Sequence, residues 1–181
     1  MTLESRSRKL VCLTGFMGCG KSTTARLLSS QLGWPHVDLD RRITDSTGMT
    51  IPEIFLRMGE PEFRRIEHEQ LARIVAEASE SHRPRIVSLG GGTVVQVNNL
   101  ALLRESCATL IWLRCPIEEL LLRCAQITDR PLFRDEASFR RLYQERLPFY
   151  QLSDFVVDSD VEPARVVERI LALNIFPQVT A

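Results

Sequence analysis

The chain has 181 residues, 44% of them hydrophobic, and its 23 basic and 23 acidic side chains cancel to a formal net charge of zero. That length suits one folded core, and the balanced charge leaves no electrostatic footprint for nucleic acid or an anionic membrane. No apolar run approaches the ~20 residues of a membrane span, Met1–Lys9 lacks the apolar segment of a signal peptide, and five cysteines without a C-x-x-C pair argue against zinc or a disulfide framework.

A cytoplasmic chain in a reducing compartment is therefore expected. Residues 1–9 and 177–181 read as tails around one domain, 10–176. The domain opens with the apolar run Leu10–Thr14, predicted as a strand. Directly after it stands Gly15-Phe16-Met17-Gly18-Cys19-Gly20-Lys21-Ser22, a G-x-x-x-x-G-K-[ST] phosphate-binding loop. A helix predicted over Lys21–Leu32 completes the strand–loop–helix setting that the motif requires.

In that setting the backbone N–H groups of Gly18, Cys19, Gly20, Lys21, Ser22 and Thr23 turn toward phosphate oxygens, with the positive helix end behind them. Lys21 reaches the β- and γ-phosphates, and Ser22 offers its hydroxyl to Mg²⁺. Only Lys9 and Lys21 are lysines, so the folded domain keeps one, at the phosphate site. Cys19 is an unusual member of such a loop. Beside Lys21 and a helix N-terminus it is expected to be reactive, so that alkylation blocks ATP binding and Mg-ATP protects.

The second predicted strand, His36–Leu39, runs into Asp38-Leu39-Asp40. Alternation along a strand places both carboxylates on one face, one to hold a metal-bound water and the other to accept a hydrogen bond from a substrate hydroxyl. An acidic turn with Asp40 as a helix N-cap is the plainer alternative. His36 is expected to pack in the strand without altering the chemistry, and His68 and His82 to lie on solvated helix faces. A long helical stretch, Ile51 to about Ser81, leads to a third strand, Arg85–Leu89. There Ser88-Leu89-Gly90-Gly91-Gly92 places Ser88 near a metal's water shell. Three consecutive glycines pack nothing, which suggests close approach by a ligand or another backbone, a flexible turn being the alternative.

Strands at Thr109–Leu113 and Asp154–Val157 and helices at Asn98–Glu105, Ile117–Cys124, Glu136–Tyr150 and Glu162–Leu173 complete the chain. Five short strands separated by helices indicate an α/β fold with a parallel sheet covered on both faces. Ligands then gather at the carboxyl ends of the strands.

In order, the chain carries GFMGCGKS, DLD, Gly48-x-x-Ile51-x-Glu53-Ile54-Phe55 and Gly59-Glu60-x-x-Phe63-Arg64-x-x-Glu67. It continues with Gly90-Gly91-Gly92, Arg130-Pro131-Leu132, Arg146-Leu147-Pro148-Phe149-Tyr150 and Val157-Asp158-x-x-x-x-Pro163. This set, colinear from about Leu10 to Leu173, closely resembles the shikimate kinases, P-loop enzymes of the nucleoside-monophosphate-kinase-like class. The resemblance implies a three-layer fold with strand order 2-3-1-4-5, a substrate-binding region near 40–70 and a mobile lid near 123–135. It implies transfer of a phosphoryl group from ATP, with Mg²⁺, to the 3-hydroxyl of shikimate, in aromatic amino acid biosynthesis.

The same resemblance implies residue roles. Arg64 and Arg146 clamp the substrate carboxylate, a task that suits the planar, two-pronged guanidinium, and Glu67 braces Arg64 as an (i, i+3) partner. Asp40, Gly91 and Gly92 hold the substrate hydroxyls, while Asp38 and Ser88 reach the metal through water. Arg130, on the lid, stabilises the transferring charge, and Arg123 stacks on adenine. The segment Asp158–Pro163, including Val161, edges the adenine; it can equally start a helix, with Ser159 or Asp160 near the cap. Lys21, Asp40 and Arg130 are the expected catalytic residues. Asp40 mainly orients the hydroxyl and takes its proton late, because a loose transition state needs little early proton abstraction.

Arg140 and Arg141 match no motif and are expected on the surface. The expected partners are ATP and shikimate, bound by a monomer, with no nucleic acid and no membrane. Two rivals are a gluconate-type small-molecule kinase and a non-catalytic P-loop binding module. The first has no reason to carry DLD, FR-x-x-E and GGG together. The second has none to keep Lys21, Asp40, Arg64, Arg130 and Arg146.

Overall fold

The computed structural model describes residues 10–81, 83–125 and 135–176. Strands β1 (Leu10–Thr14), β2 (His36–Asp38), β3 (Arg85–Ser88), β4 (Thr109–Arg114) and β5 (Phe155–Asp158) form one sheet in the order β2-β3-β1-β4-β5. Every pairing is parallel. All five residues of the central β1 are buried, as expected of a strand covered on both faces. The carboxyl ends of β1, β2 and β3 lie side by side, because Ser88 pairs in register with both Leu13 and Asp38.

Helices α1 (Lys21–Leu32), α2 (Leu39–Thr47), α3 (Ile51–Ser81), α4 (Val97–Glu105), α5 (Ile117–Ala125), α6 (Glu136–Tyr150) and α7 (Pro163–Leu171) surround the sheet, with a 3₁₀ turn at Thr93–Val95. The predicted bounds of β1, α1 and α6 agree with these. Helix α2 was not predicted. Asp38 caps it, its side chain accepting from the Arg41 N–H, and the left-handed Gly48 ends it. Two cap signals were therefore present, but so short a segment carries too few apolar positions to declare a helical period.

Helix α3 is not one straight rod. Gly59 breaks it with φ 82° and ψ 170°, and Pro61 follows, leaving a short arm before the kink and a long one after it. Helix α7 begins at Pro163 with Glu162 as its N-cap residue, so neither Ser159 nor Asp160 caps it. Ser159 instead donates both its N–H and its hydroxyl to Arg114 O, at 2.8 and 3.1 Å.

The core runs continuously from the sheet into the phosphate loop. Phe16, itself a loop residue, packs edge-on against Phe139 and Tyr143 of α6, with ring centroids 5.0 and 5.3 Å away. These contacts fix the loop to the helix that also carries Arg146. Among the described residues, no helix is long and apolar enough to cross a membrane.

Candidate active site

The phosphate loop joins β1 to α1. Gly15 leaves the strand with φ 138°, and a Cβ there would stand 2.7 Å from Leu113 O, so this exit admits only glycine. Lys21 folds back across the loop and donates to the carbonyls of Gly15 (2.9 Å) and Phe16 (3.0 Å). Its charge is thus anchored in the concavity that would receive phosphate oxygens. Cys19 is 1% exposed, its sulfur 3.8 Å from Lys21 Nζ and turned toward Gly15. A thiol so enclosed is not offered to solvent, which corrects the expectation that it alkylates readily.

Strand register assembles the next group. Ser22 donates to Asp38 Oδ2 at 2.6 Å, and Ser88 donates to the same oxygen at 2.7 Å. The Arg41 N–H donates to Oδ1 at 3.1 Å. Burial pushes the Asp38 carboxyl up, but these donors outweigh it and hold its pKa below the usual value. Hydroxyl, carboxylate and hydroxyl form an all-oxygen set, the hard ligands that suit Mg²⁺. The three residues expected to approach the metal, Ser22, Asp38 and Ser88, therefore do come together.

Asp40 reaches this region by another route than the one expected. β2 stops at Asp38, and Asp40 sits in the first turn of α2. It nonetheless lines one pocket of about 290 Å³ with Lys21, Ser22, Asp38, Leu89 and Gly91. The residues that alternation does align on β2 are His36 and Asp38. His36 Nε2 lies 3.1 Å from Ser88 Oγ, so His36 is more than strand packing. Burial lowers its pKa, Asp38 opposes that and Arg26 adds to it, leaving it below the ordinary histidine value.

Opposite stand the glycines and two arginines. Arg64 Nη1 donates to Glu67 Oε2 at 2.9 Å, while Nε and Nη2 donate to Glu60 Oε1 at 3.2 and 3.0 Å. Glu67 is only 1% exposed, and its other oxygen accepts from the Thr93 hydroxyl at 2.7 Å. The expected brace is present, and it extends to the turn after the glycines. Each glycine meets a charged side chain: a Cβ would stand 2.9 Å from Asp40 Oδ1 and 3.2 Å from Glu67 Oε1 at Gly90, 3.3 Å from Arg146 Nη1 at Gly91, and 2.7 Å from Arg64 Nη2 at Gly92.

Arg146 is 8% exposed, with its guanidinium carbon 5.7 Å from the centroid of Phe16. Among the described residues no carboxylate pairs with it. Such a buried cation is costly without a counter-charge, a cost that an arriving anion would relieve. Tyr150 is fully buried and donates its hydroxyl to Gly91 O at 2.5 Å, holding the glycine strip. Sequence reasoning did not single out Tyr150, Thr93 or Glu60. Each stands inside or beside a quoted motif, but a buried tyrosine reads as core and an exposed glutamate as surface.

A second cleft, of about 520 Å³, lies on the other side of the phosphate loop. Gly18, Gly20, Thr23, Arg123, Val161 and Pro163 line it among others. Arg123 is fixed in its wall, donating to Glu119 (2.8 Å) and to Ser159 O (3.0 Å). Of the residues expected at the nucleotide, Gly18, Gly20, Thr23, Arg123 and Val161 share this cleft, Lys21 and Ser22 line the neighbouring pocket, and Cys19 is buried within the loop. Arg130 lies outside the described residues, as does His82. His68 is not on a solvated face: half-buried, it places Nδ1 2.7 Å from Oδ1 of the buried Asn99. Arg140 is a surface residue bonded to Glu118 and Glu136.

Phosphate loop, oxygen-lined corner and arginine pair, set on this sheet order, define a P-loop kinase of small molecules. The profile of the shikimate kinase family matches residues 17–174. A shikimate kinase of Geobacter metallireducens is 41% identical over 153 residues, 82% of each chain. One of Moorella thermoacetica is 36% identical over 161 residues, 88% of this chain and 90% of its own. The structure of shikimate kinase from Acinetobacter baumannii in complex with shikimate aligns with a TM-score of 0.83 and 30% identity, covering 93% of this chain and 94% of its own. The chain belongs to the shikimate kinase family.

Proposed function

We infer that this chain transfers the γ-phosphoryl group of ATP to the 3-hydroxyl of shikimate, giving shikimate 3-phosphate and ADP. The observation that carries the acceptor is Arg146: a buried guanidinium without a carboxylate partner among the described residues, facing Gly91. A substrate carboxylate supplies the missing charge, and Arg64 meets it from the Gly92 side. Glu67 holds Arg64 in place, while Asp40 and the backbone of Gly91 and Gly92 take the hydroxyls. The acceptor hydroxyl is thereby presented beside Asp40 and across from the phosphate loop, so that orientation does much of the work.

On the nucleotide side, Gly18 to Thr23 cradle the phosphates and Lys21 exchanges its carbonyl partners for phosphate oxygens. Arg123 and Val161 flank the adenine, and Arg130 is assigned to the charge on the transferring group. Ser22 would hold Mg²⁺, with Asp38 and Ser88 acting through water. When bound, that ion neutralises phosphate charge. Asp40 orients the attacking hydroxyl and accepts its proton late in the transfer. The substrate-binding region is assigned to about residues 40–70, and the lid to about 123–135, most of which lies outside the described residues. The active unit in this reading is a monomer, placed in the cytoplasm.

A coupled assay of ADP release tests the acceptor. Turnover should require shikimate and fail with gluconate. ATP turnover indifferent to shikimate would sink the assignment, and no turnover with any acceptor would favour a binding module.

A further inference from the structure

We propose that His36 is a positioning residue for the metal corner, its Nε2–H holding the Ser88 hydroxyl in the one orientation that leaves Ser88 and Ser22 both donating to Asp38. The inference rests on Ser22, Asp38 and Ser88 being that corner, as assigned under Proposed function.

The argument is a count of protons. An ionised carboxylate only accepts hydrogen bonds, and a serine hydroxyl has a single proton to donate. Asp38 Oδ2 receives both hydroxyls, at 2.6 Å from Ser22 and 2.7 Å from Ser88. Neither serine has a second proton. The 3.1 Å contact between Ser88 Oγ and His36 Nε2 must then have the serine as acceptor, so the imidazole carries a proton on Nε2.

The strands make the contact possible. His36 and Asp38 share one face of β2, and Ser88 stands opposite Asp38 in register while Ile86 stands opposite His36. The imidazole therefore reaches Ser88 on the diagonal. Its length suits that span, and an apolar ring in its place would fill the strand and donate nothing.

The consequence falls on Ser22. With its proton committed to Asp38, the Ser22 oxygen presents lone pairs outward, the orientation a cation needs. Ser88 steadies the shared carboxylate oxygen from the other side. Without a donor at position 36, Ser88 is free to turn, and Asp38 Oδ2 loses one of its two fixed partners. An outer partner of this kind orients the groups that touch a metal.

Nitrogen NMR of the imidazole in metal-free, nucleotide-free protein should show His36 with its proton on Nε2, a preference that Ser88→Ala removes. Calorimetry of ADP binding across a Mg²⁺ titration should show that His36→Phe raises the Mg²⁺ needed by about tenfold, the low end of the loss on removing an outer partner. His36→Gln, whose Nε2 can donate from a similar position, should restore the wild-type requirement. ADP affinity without Mg²⁺ should be equal in the wild type and the two His36 variants, and a thermal melt establishes that each is folded. A proton on Nδ1, or His36→Phe with the wild-type Mg²⁺ requirement while Ser22→Ala raises it, overturns the inference alone. A requirement unchanged in Ser22→Ala as well overturns the metal corner, and this inference with it.

Discussion

The Arg64 guanidinium rests against Gly92, Nη2 standing 2.7 Å from where a Cβ of that residue would be. Glu67 holds the far side of the same group, so Arg64 has no room to retreat. Gly92→Ala should therefore displace the clamp and weaken shikimate binding by about 10- to 100-fold, the value of one to two charge-assisted hydrogen bonds. The KM for ATP should stay unchanged, because the phosphate loop is untouched. Equal losses for both substrates would mean that the glycine strip, rather than the clamp, had collapsed.

Arg146 poses the opposite case, a charge the substrate-free protein holds without a carboxylate partner among its described residues. Replacing it by an apolar side chain of similar length removes a desolvated cation, at the cost of its contacts with Phe16 and Tyr150. Arg146→Met should accordingly be neutral to about 2 kcal/mol more stable without ligand. It should also lose the upward shift in Tm that saturating shikimate gives the wild type. A clearly destabilised variant that still responds to shikimate would remove Arg146 from the substrate site.

Asp40 stands against Gly90, 2.9 Å from the position of a Cβ there, and lines the pocket with Lys21. Asp40→Asn keeps the shape and removes the proton acceptor. With shikimate saturating, turnover should fall by about 10²-fold or more, within the usual range for losing such a group. Turnover near that of the wild type would exclude any required proton acceptor at this position.

Much of this site was legible because chemistry with few solutions leaves fixed spacings. A glycine loop before a lysine and a serine, an arginine three residues from a glutamate, and three consecutive glycines each survived into the geometry. What stayed hidden depended on where a strand stops. One residue less in β2 put Asp40 in a helix rather than at the end of the strand, left His36 and Asp38 as the aligned pair, and turned Asp38 into a cap. His68 and Tyr150 were hidden for a related reason. Their hydrogen bonds reach Asn99 and Gly91, partners 31 and 59 residues away, and no local pattern records such a distance.

Burial also revises the cysteine chemistry. Cys19 is enclosed by the loop, whereas Cys107 is exposed. Iodoacetamide should label Cys107 first, with no change in activity, and Cys107→Ser should remove the rapid phase. Labelling of Cys19 should be slow and limited by opening of the loop, and Mg-ATP should slow it further. Peptide mapping of the labelled protein reads this directly. Rapid labelling of Cys19 in the native protein would show that the loop opens far more readily than its packing indicates.

Tyr150 gives a prediction in pH. Burial, opposed by Arg146, raises its pKa well above the ordinary value of 10, since the ionised phenol would lose its bond to Gly91 O and gain no solvent. Between the unfolded and folded values the native state holds one more proton than the unfolded chain, so stability must fall as pH rises. The contribution is fully present below about pH 10 and is lost above it. Cys115, pushed up to about 11 by burial, adds to the same alkaline loss, so the test is a comparison of variants. Tyr150→Phe should cost about 1 kcal/mol at neutral pH for the missing hydrogen bond. Its stability should then decline less steeply than that of the wild type above pH 10, so that the two denaturant midpoints converge. Parallel curves across that range would mean that Tyr150 does not titrate on unfolding, and that its bond to Gly91 is not what burial protects.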